Sequence, residues 1–170
     1  LLIEDHPPDA ASLRDQLARA ASAVHLTLAG GLEEALAALA GPEAASPPFD
    51  VVLLDLFPPG GRRLGPVRQV AAAAPTLPII ILTGRDDHAL ATRAMRAGAQ
   101  DYLVKGQSDP GLLLRTMQHA IYRKQATAEQ QRLVDELRRA RSELERRVLE
   151  RTGELARAVD ELQAEVTRRM

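Results

Sequence analysis

Cysteine and tryptophan are absent from this 170-residue chain, phenylalanine and tyrosine number two each, and no apolar run approaches the thickness of a bilayer. Each absence closes a class of function. Without cysteine there is neither a disulfide framework nor a thiolate metal site, a composition that suits a reducing cytosol. With aromatics at 2%, platforms for stacking single-stranded bases are lacking. Crossing a membrane takes roughly 20 consecutive apolar residues, which the chain does not have. Net charge is missing too: 22 Lys and Arg stand against 23 Asp and Glu, so no global field draws the chain to nucleic acid or anionic lipid. The opening LLIEDHPPD reaches acids within four residues and carries no basic segment, unlike a secretory leader. The expected setting is the cytoplasm, with no nucleic-acid partner and no membrane insertion. The lack of an initiator Met suggests that a few residues precede Leu1.

What is present is aliphatic and periodic. Short apolar runs recur: LLIE at the start, VHLTLA from Val24, VVLLDL from Val51, PIIILT from Pro78 and DYLV from Asp101. Continuous Val, Ile and Leu is the signature of strands covered on both faces in a parallel sheet, so five buried strands are expected. Between them lie segments with helical spacing: Leu13 and Leu17; Leu32, Leu36 and Leu39; Val67 and Val70; Leu90, Ala94 and Met95. This alternation predicts an α/β fold, a doubly wound five-stranded parallel sheet. Gly41 to Pro48 and Pro58 to Gly65 read as loops, and Gly98 is placed to end a helix.

From about Asp109 the character changes. Proline stops at Pro110, glycine is absent between Gly111 and Gly153, and charge becomes dense. A long C-terminal helix is expected. Its apolar residues Leu133, Leu137, Ala140, Leu144, Val148, Leu155, Val159, Leu162 and Val166 follow three- and four-residue steps, a coiled-coil seam. From Leu137 to Leu155 there is one residue more than unbroken heptads would give, which locally unwinds the supercoil around Glu150, Arg151 and Thr152. A solvated single-helix face remains the other reading of this segment.

Chemistry concentrates at the carboxyl ends of the predicted strands, which share one edge of a parallel sheet. Glu4 and Asp5 follow the first, Asp55 the third, Thr83 the fourth and Lys105 the fifth. Clustered carboxylates repel unless they are protonated or neutralised, and hard oxygen ligands suit Mg²⁺. Moving a phosphoryl group onto a carboxylate requires charge neutralisation at its oxygens by a cation, a Lys and a hydroxyl. Asp55, Mg²⁺, Lys105 and Thr83 make up that set. His6, His25, His88 and His119 are scattered without metal-ligand spacing.

The segments IEDH, VVLLDL followed by PPG, IILTG and DYLVKG, in that order on alternating strands, resemble the motifs of response-regulator receiver domains over roughly residues 1 to 125. The resemblance implies a flavodoxin-like receiver core at 1–108, a last receiver helix at 109–125 and a dimeric coil at 126–170. It implies that Asp55 takes phosphate from a phosphohistidine, and that Asp5, Asp55 and the backbone carbonyl of Phe57 hold Mg²⁺ with support from Glu4. Lys105 would pair with the phosphoryl oxygens, Thr83 would move to hydrogen-bond them, and Tyr102 would rotate inward as the switch. The partner implied is a sensor histidine kinase or phosphotransfer protein, and the chain's own chemistry is confined to gaining and losing phosphate at Asp55, not enzymatic turnover. Phe57 and Arg85 would flank the pocket and set phosphoryl lifetime. Gly106 stands where many receivers have Pro, which makes that loop more pliable.

LERRVLERTGEL, with its Glu150-Arg151-Thr152 triplet, resembles the signalling helix of sensory proteins over roughly Arg132 to Met170. That resemblance implies a coil, parallel in such proteins, with homodimerisation through 126–170 and an output module beyond Met170; whether the helices of this chain pair in parallel or antiparallel stays open. The alternative is a pseudo-receiver that takes no phosphate and serves as a dimerisation scaffold. A DNA-binding regulator is disfavoured because no helix-turn-helix follows and acids match bases along the helix. A phosphohydrolase of related topology is disfavoured by Phe57, where an acid would be expected.

Overall fold

The structure, a computed structural model, describes residues 1–20, 24–40, 49–56, 64–84, 87–106 and 109–169. The chain alternates strand and helix throughout: β1 (Leu2–Ile3), α1 (Pro7–Ala20), β2 (Leu28–Ala29), α2 (Leu32–Leu39), β3 (Val52–Asp55), α3 (Gly65–Ala73), β4 (Ile79–Thr83), α4 (His88–Arg96), β5 (Asp101–Val104) and α5 (Pro110–Arg169). The strands form one parallel sheet in the order β2-β1-β3-β4-β5. This is the doubly wound α/β fold that the alternation predicts.

Because strand side chains alternate between faces, the apolar runs feed two cores. Ile3, Val52, Leu54, Ile79 and Ile81 join Ala35 and Leu39 of α2, Val67 and Val70 of α3 and Ala94 of α4. Leu2, Leu53, Ile80 and Leu82 join Leu13 and Leu17 of α1 and Leu113, Met117 and Ala120 of α5. Helices on both faces explain why the central strands need no polar side.

The edge strands depart from the expectation of five fully buried strands. β2 is short and Leu28 is 47% exposed, while all four residues of β5 are half-buried. An edge strand is flanked on one side only, so its burial depends on what the helices reach. In α4 the buried residues are Ala91 and Ala94, and Met95 faces solvent at 45% exposure, so the alanines, not the larger Met95, define its packing face. The expected loop at Gly41 to Pro48 lies outside the described residues, as does most of Pro58 to Gly65. Gly65 itself opens α3, because Pro66 in the first turn has its φ already set for a helix.

Two compact units divide the chain, Leu1–Ala126 and Thr127–Met170. Within the second unit every apolar seam residue from Leu133 to Val166 is exposed or nearly so. No helix among the described residues is long and apolar enough to cross a membrane.

Candidate phosphoacceptor site

Strand order reverses direction between β1 and β3, and side chains beyond the carboxyl ends of those strands face a crevice where ligands bind in open α/β sheets. Glu4 and Asp5 leave β1, Asp55 closes β3, Thr83 closes β4 and Lys105 follows β5. Parallel register brings these ends level: Asp55 stands opposite Leu82 and Thr83 opposite Val104. The Lys105 backbone N–H donates to the Thr83 carbonyl at 2.7 Å, tying β5 to β4 at the site's edge.

The carboxylates of Glu4, Asp5 and Asp55 each bring an oxygen within 4.8 Å of the others. Glu4 is 3% exposed, and its Oε1 accepts the backbone N–H of His6 at 3.0 Å. Lys105 Nζ donates to Glu4 Oε2 at 2.5 Å, Asp55 Oδ2 at 2.8 Å and Asp9 Oδ2 at 2.8 Å. An ammonium has three N–H bonds, so these acceptors use all of its donors. Asp55 Oδ1 is buried and accepts no hydrogen bond from any described residue.

Electrostatics follow from the stoichiometry. Four carboxylates (Glu4, Asp5, Asp9, Asp55) against one ammonium leave three negative charges uncompensated when all are ionised. Burial pushes the Asp55 carboxyl above its ordinary value; Lys105 pulls it back, and Glu4 adds to the rise. Burial disfavours the Lys105 cation, but its hydrogen bonds to Asp55, Asp9 and Glu4 prevail and hold its pKa above the ordinary lysine value. The two shifts differ in origin: burial raises Asp55, whereas the Lys105 cation gains from all three carboxylates that share it.

Asp55 Oδ1, buried and without a donor, tests whether the donor set suits a divalent cation. An acceptor-only oxygen beside two further carboxylates is a hard-ligand environment, and it fits Mg²⁺. Glu4 and Asp5, the first buried and the second exposed, complete the cluster.

The sequence reading missed Asp9. It lies in the first turn of α1, one helical turn beyond Asp5, and its other oxygen meets His6 Nδ1 at 3.1 Å. Hydrogen bonds from Lys105 and His6 hold its carboxyl below the ordinary aspartate range. The available signal was the Glu4-Asp5-x-x-x-Asp9 spacing at a strand-to-helix junction. Thr83 is buried at 6% exposure. Tyr102 is half-buried against the core cluster of α2, α3 and α4, with its ring edge-on to His88 at 6.4 Å. Phe57 and Arg85 lie outside the described residues.

Residues 1–117 match the family described as response regulator receiver domain. The chain belongs to that family. Among curated proteins, it is 40% identical over 67 residues to the swarming motility regulation protein RssB of Serratia marcescens, covering 39% of this chain and 31% of that one. The chain thus spans less than a third of that relative's length. A receiver domain protein from Clostridium thermocellum superposes with a TM-score of 0.61 at 26% identity, covering 74% of this chain and 95% of that one. A Burkholderia pseudomallei response regulator solved with a phosphorylated aspartic acid, calcium ion and citrate gives 0.56 at 25% identity, covering 75% and 70%. Receivers of this family work in two-component signalling.

Proposed function

We propose that this receiver is a phosphoacceptor in which Asp55 takes a phosphoryl group from the phosphohistidine of a sensor kinase or phosphotransfer protein. The supporting observation is Asp55 Oδ1, a buried carboxylate oxygen without a donor, set beside Glu4 and Asp5 and opposite Lys105. In transfer, an Asp55 oxygen forms the new O–P bond while the N–P bond of the donor breaks, and the departing imidazole keeps that electron pair. Asp5, Asp55, Glu4 and the Phe57 carbonyl would hold Mg²⁺. A bound divalent cation supplies charge neutralisation to the phosphoryl oxygens. Lys105 keeps a donor at the acceptor carboxylate, and Thr83 provides a hydroxyl at the adjacent strand end. A resemblance to the phosphorylated Burkholderia receiver supports the same assignment.

Phosphorylation would draw Thr83 toward the site and Tyr102 inward behind it, changing the β4–α4–β5 face. The exposed seam of Leu137, Leu144, Leu155 and Leu162 supports transmission through a homodimeric coil over 126–170 toward an output module. The domain scheme is a receiver core at 1–108, its last helix at 109–125 and the coil beyond.

Intact mass spectrometry after incubation with Mg²⁺ and acetyl phosphate tests the acceptor. A phosphoryl adduct in the wild type that is absent in Asp55→Asn is the expected result; an equal adduct in both proteins, or none in either, would sink the assignment.

A further inference from the structure

The apolar positions of the C-terminal helix repeat every eleven residues. Leu133, Leu144, Leu155 and Val166 form one column, Leu137, Val148 and Val159 a second, and Ala140, Arg151 and Leu162 a third. The polar residues share the period. ELERRVLERTG at 143–153 and ELARAVDELQA at 154–164 agree at five of eleven positions, pairing Glu143 with Glu154, Leu144 with Leu155, Arg146 with Arg157, Val148 with Val159 and Glu150 with Glu161. Heptads with one residue inserted would explain the apolar positions but give no reason for the repeated charges. The helix itself runs unbroken through the triplet, and at Gly153 an added Cβ would meet nothing within 4 Å.

We propose, resting on the dimeric reading above, that residues 133–166 pair in parallel with a second copy as a coil of 11-residue period in which Arg151 occupies a seam position. An 11-residue period takes about 3.67 residues per turn, slightly more than the 3.6 of a free helix, and winds to the right instead of the left. The seam columns are exposed in the single chain, Leu144 at 63%, Leu155 at 66% and Leu162 at 63%, and they match between copies without a change of register.

Charge favours one direction. Glu136, Arg147 and Ala158 flank the third column on one edge of the seam, while Arg141, Thr152 and Gln163 flank the second on the other. In an antiparallel pair each edge faces its own copy and Arg147 would oppose its counterpart. In a parallel pair the two edges face each other, which brings Glu136 to Arg141 of the other copy. The third column then places Arg151 between Ala140 and Leu162, the one charged residue among its apolar seam neighbours. Its guanidinium reaches Glu154 at 3.4 Å in the same chain and is 82% exposed there. Between two helices it would lose water and face its counterpart, giving a weak layer that favours one register over its neighbours.

Two substitutions in the full chain separate this arrangement from interrupted heptads, which put Thr152 in the seam. Sedimentation equilibrium should show Arg151→Leu dimers dissociating about tenfold less readily than wild type, with Thr152→Leu close to wild type. Tightening by Thr152→Leu alone would overturn the 11-residue seam. The natural chain lacks cysteine, so Leu144→Cys and Leu155→Cys report direction: each should cross-link to its own copy on oxidation, whereas dimers that fail to cross-link at both positions would overturn parallel pairing. A wild-type chain that sediments as a monomer would instead remove the dimeric reading on which the proposal rests.

Discussion

At the scale of single residues, the acidic cluster stores a penalty that ligands or substitutions can relieve. Burial raises the Asp55 pKa in the fold, so the folded state resists ionising it. The linkage sign is therefore destabilising: as pH rises from the unfolded value of 3.8 through the higher folded value, stability falls, and the deficit persists at neutrality. Asp55→Asn removes it. In divalent-free buffer at neutral pH, the variant should unfold at higher denaturant than wild type, by about 1 kcal/mol. Adding Mg²⁺ should raise the melting temperature of the wild type but leave the variant nearly unmoved. Lys105 contributes in the opposite sense. Its folded pKa lies above 10.5, so its stabilisation is present below that value and is lost as pH climbs through the folded one. Lys105→Met strands Glu4 and Asp55, whose side chains are 0% and 5% exposed, and should cost about 2 kcal/mol by chemical denaturation. Asp9→Asn should cost no more than about 0.5 kcal/mol, because the Asp9 side chain is 42% exposed and water replaces what it loses.

At the scale of elements, Gly98 shows how a sequence signal acquires its full meaning only in three dimensions. Its place after α4 predicts a helix end, and its φ of +117° bears this out. A second constraint is not written locally: a Cβ at Gly98 would come within 2.9 Å of the Ala71 Cβ on α3. Gly98→Ala should therefore suffer twice, from a backbone conformation L-residues avoid and from a methyl contact between helices, for about 2 kcal/mol. Equilibrium unfolding with an unchanged denaturant slope would check it; a cost near zero would mean that α3 and α4 can part freely. The same contrast runs through the sheet. Central β3 and β4 were legible because Val52, Leu53, Leu54 and the Ile79–Leu82 run are buried on both faces. VHLTLA promised as much, yet only Leu28 and Ala29 form β2, since apolar content does not reveal which strand will lie at an edge. The site was legible where each residue closes a strand, as Asp55 does, or directly follows one, as Glu4 and Lys105 do. Asp9 was not, because its role depends on where the first turn of α1 points and on the reach of Lys105 from a residue 96 positions away.

At the scale of the whole molecule, the question is what would hold two copies together in the proposed dimer. The surface of the second unit carries many intrahelical ion pairs, among them Arg132–Glu136, Arg141–Glu145 and Arg146–Glu150. All join exposed side chains three or four residues apart, and such pairs support a helix weakly and are screened by salt. They cannot supply a dimer's free energy, because each is already satisfied within one chain. The apolar seam is different: Leu137, 71% exposed, and Leu144, 63% exposed, gain only when a second surface covers them. Dimerisation should therefore be nearly indifferent to ionic strength, and Leu137→Glu combined with Leu144→Glu should yield monomers in sedimentation velocity. The receiver's own denaturation midpoint should hold in that variant, because both positions lie in the unit beginning at Thr127, apart from the compact unit that ends at Ala126. A dimer that instead dissolves with added salt while tolerating both glutamates would relocate the association to charged surfaces and leave the seam without a role.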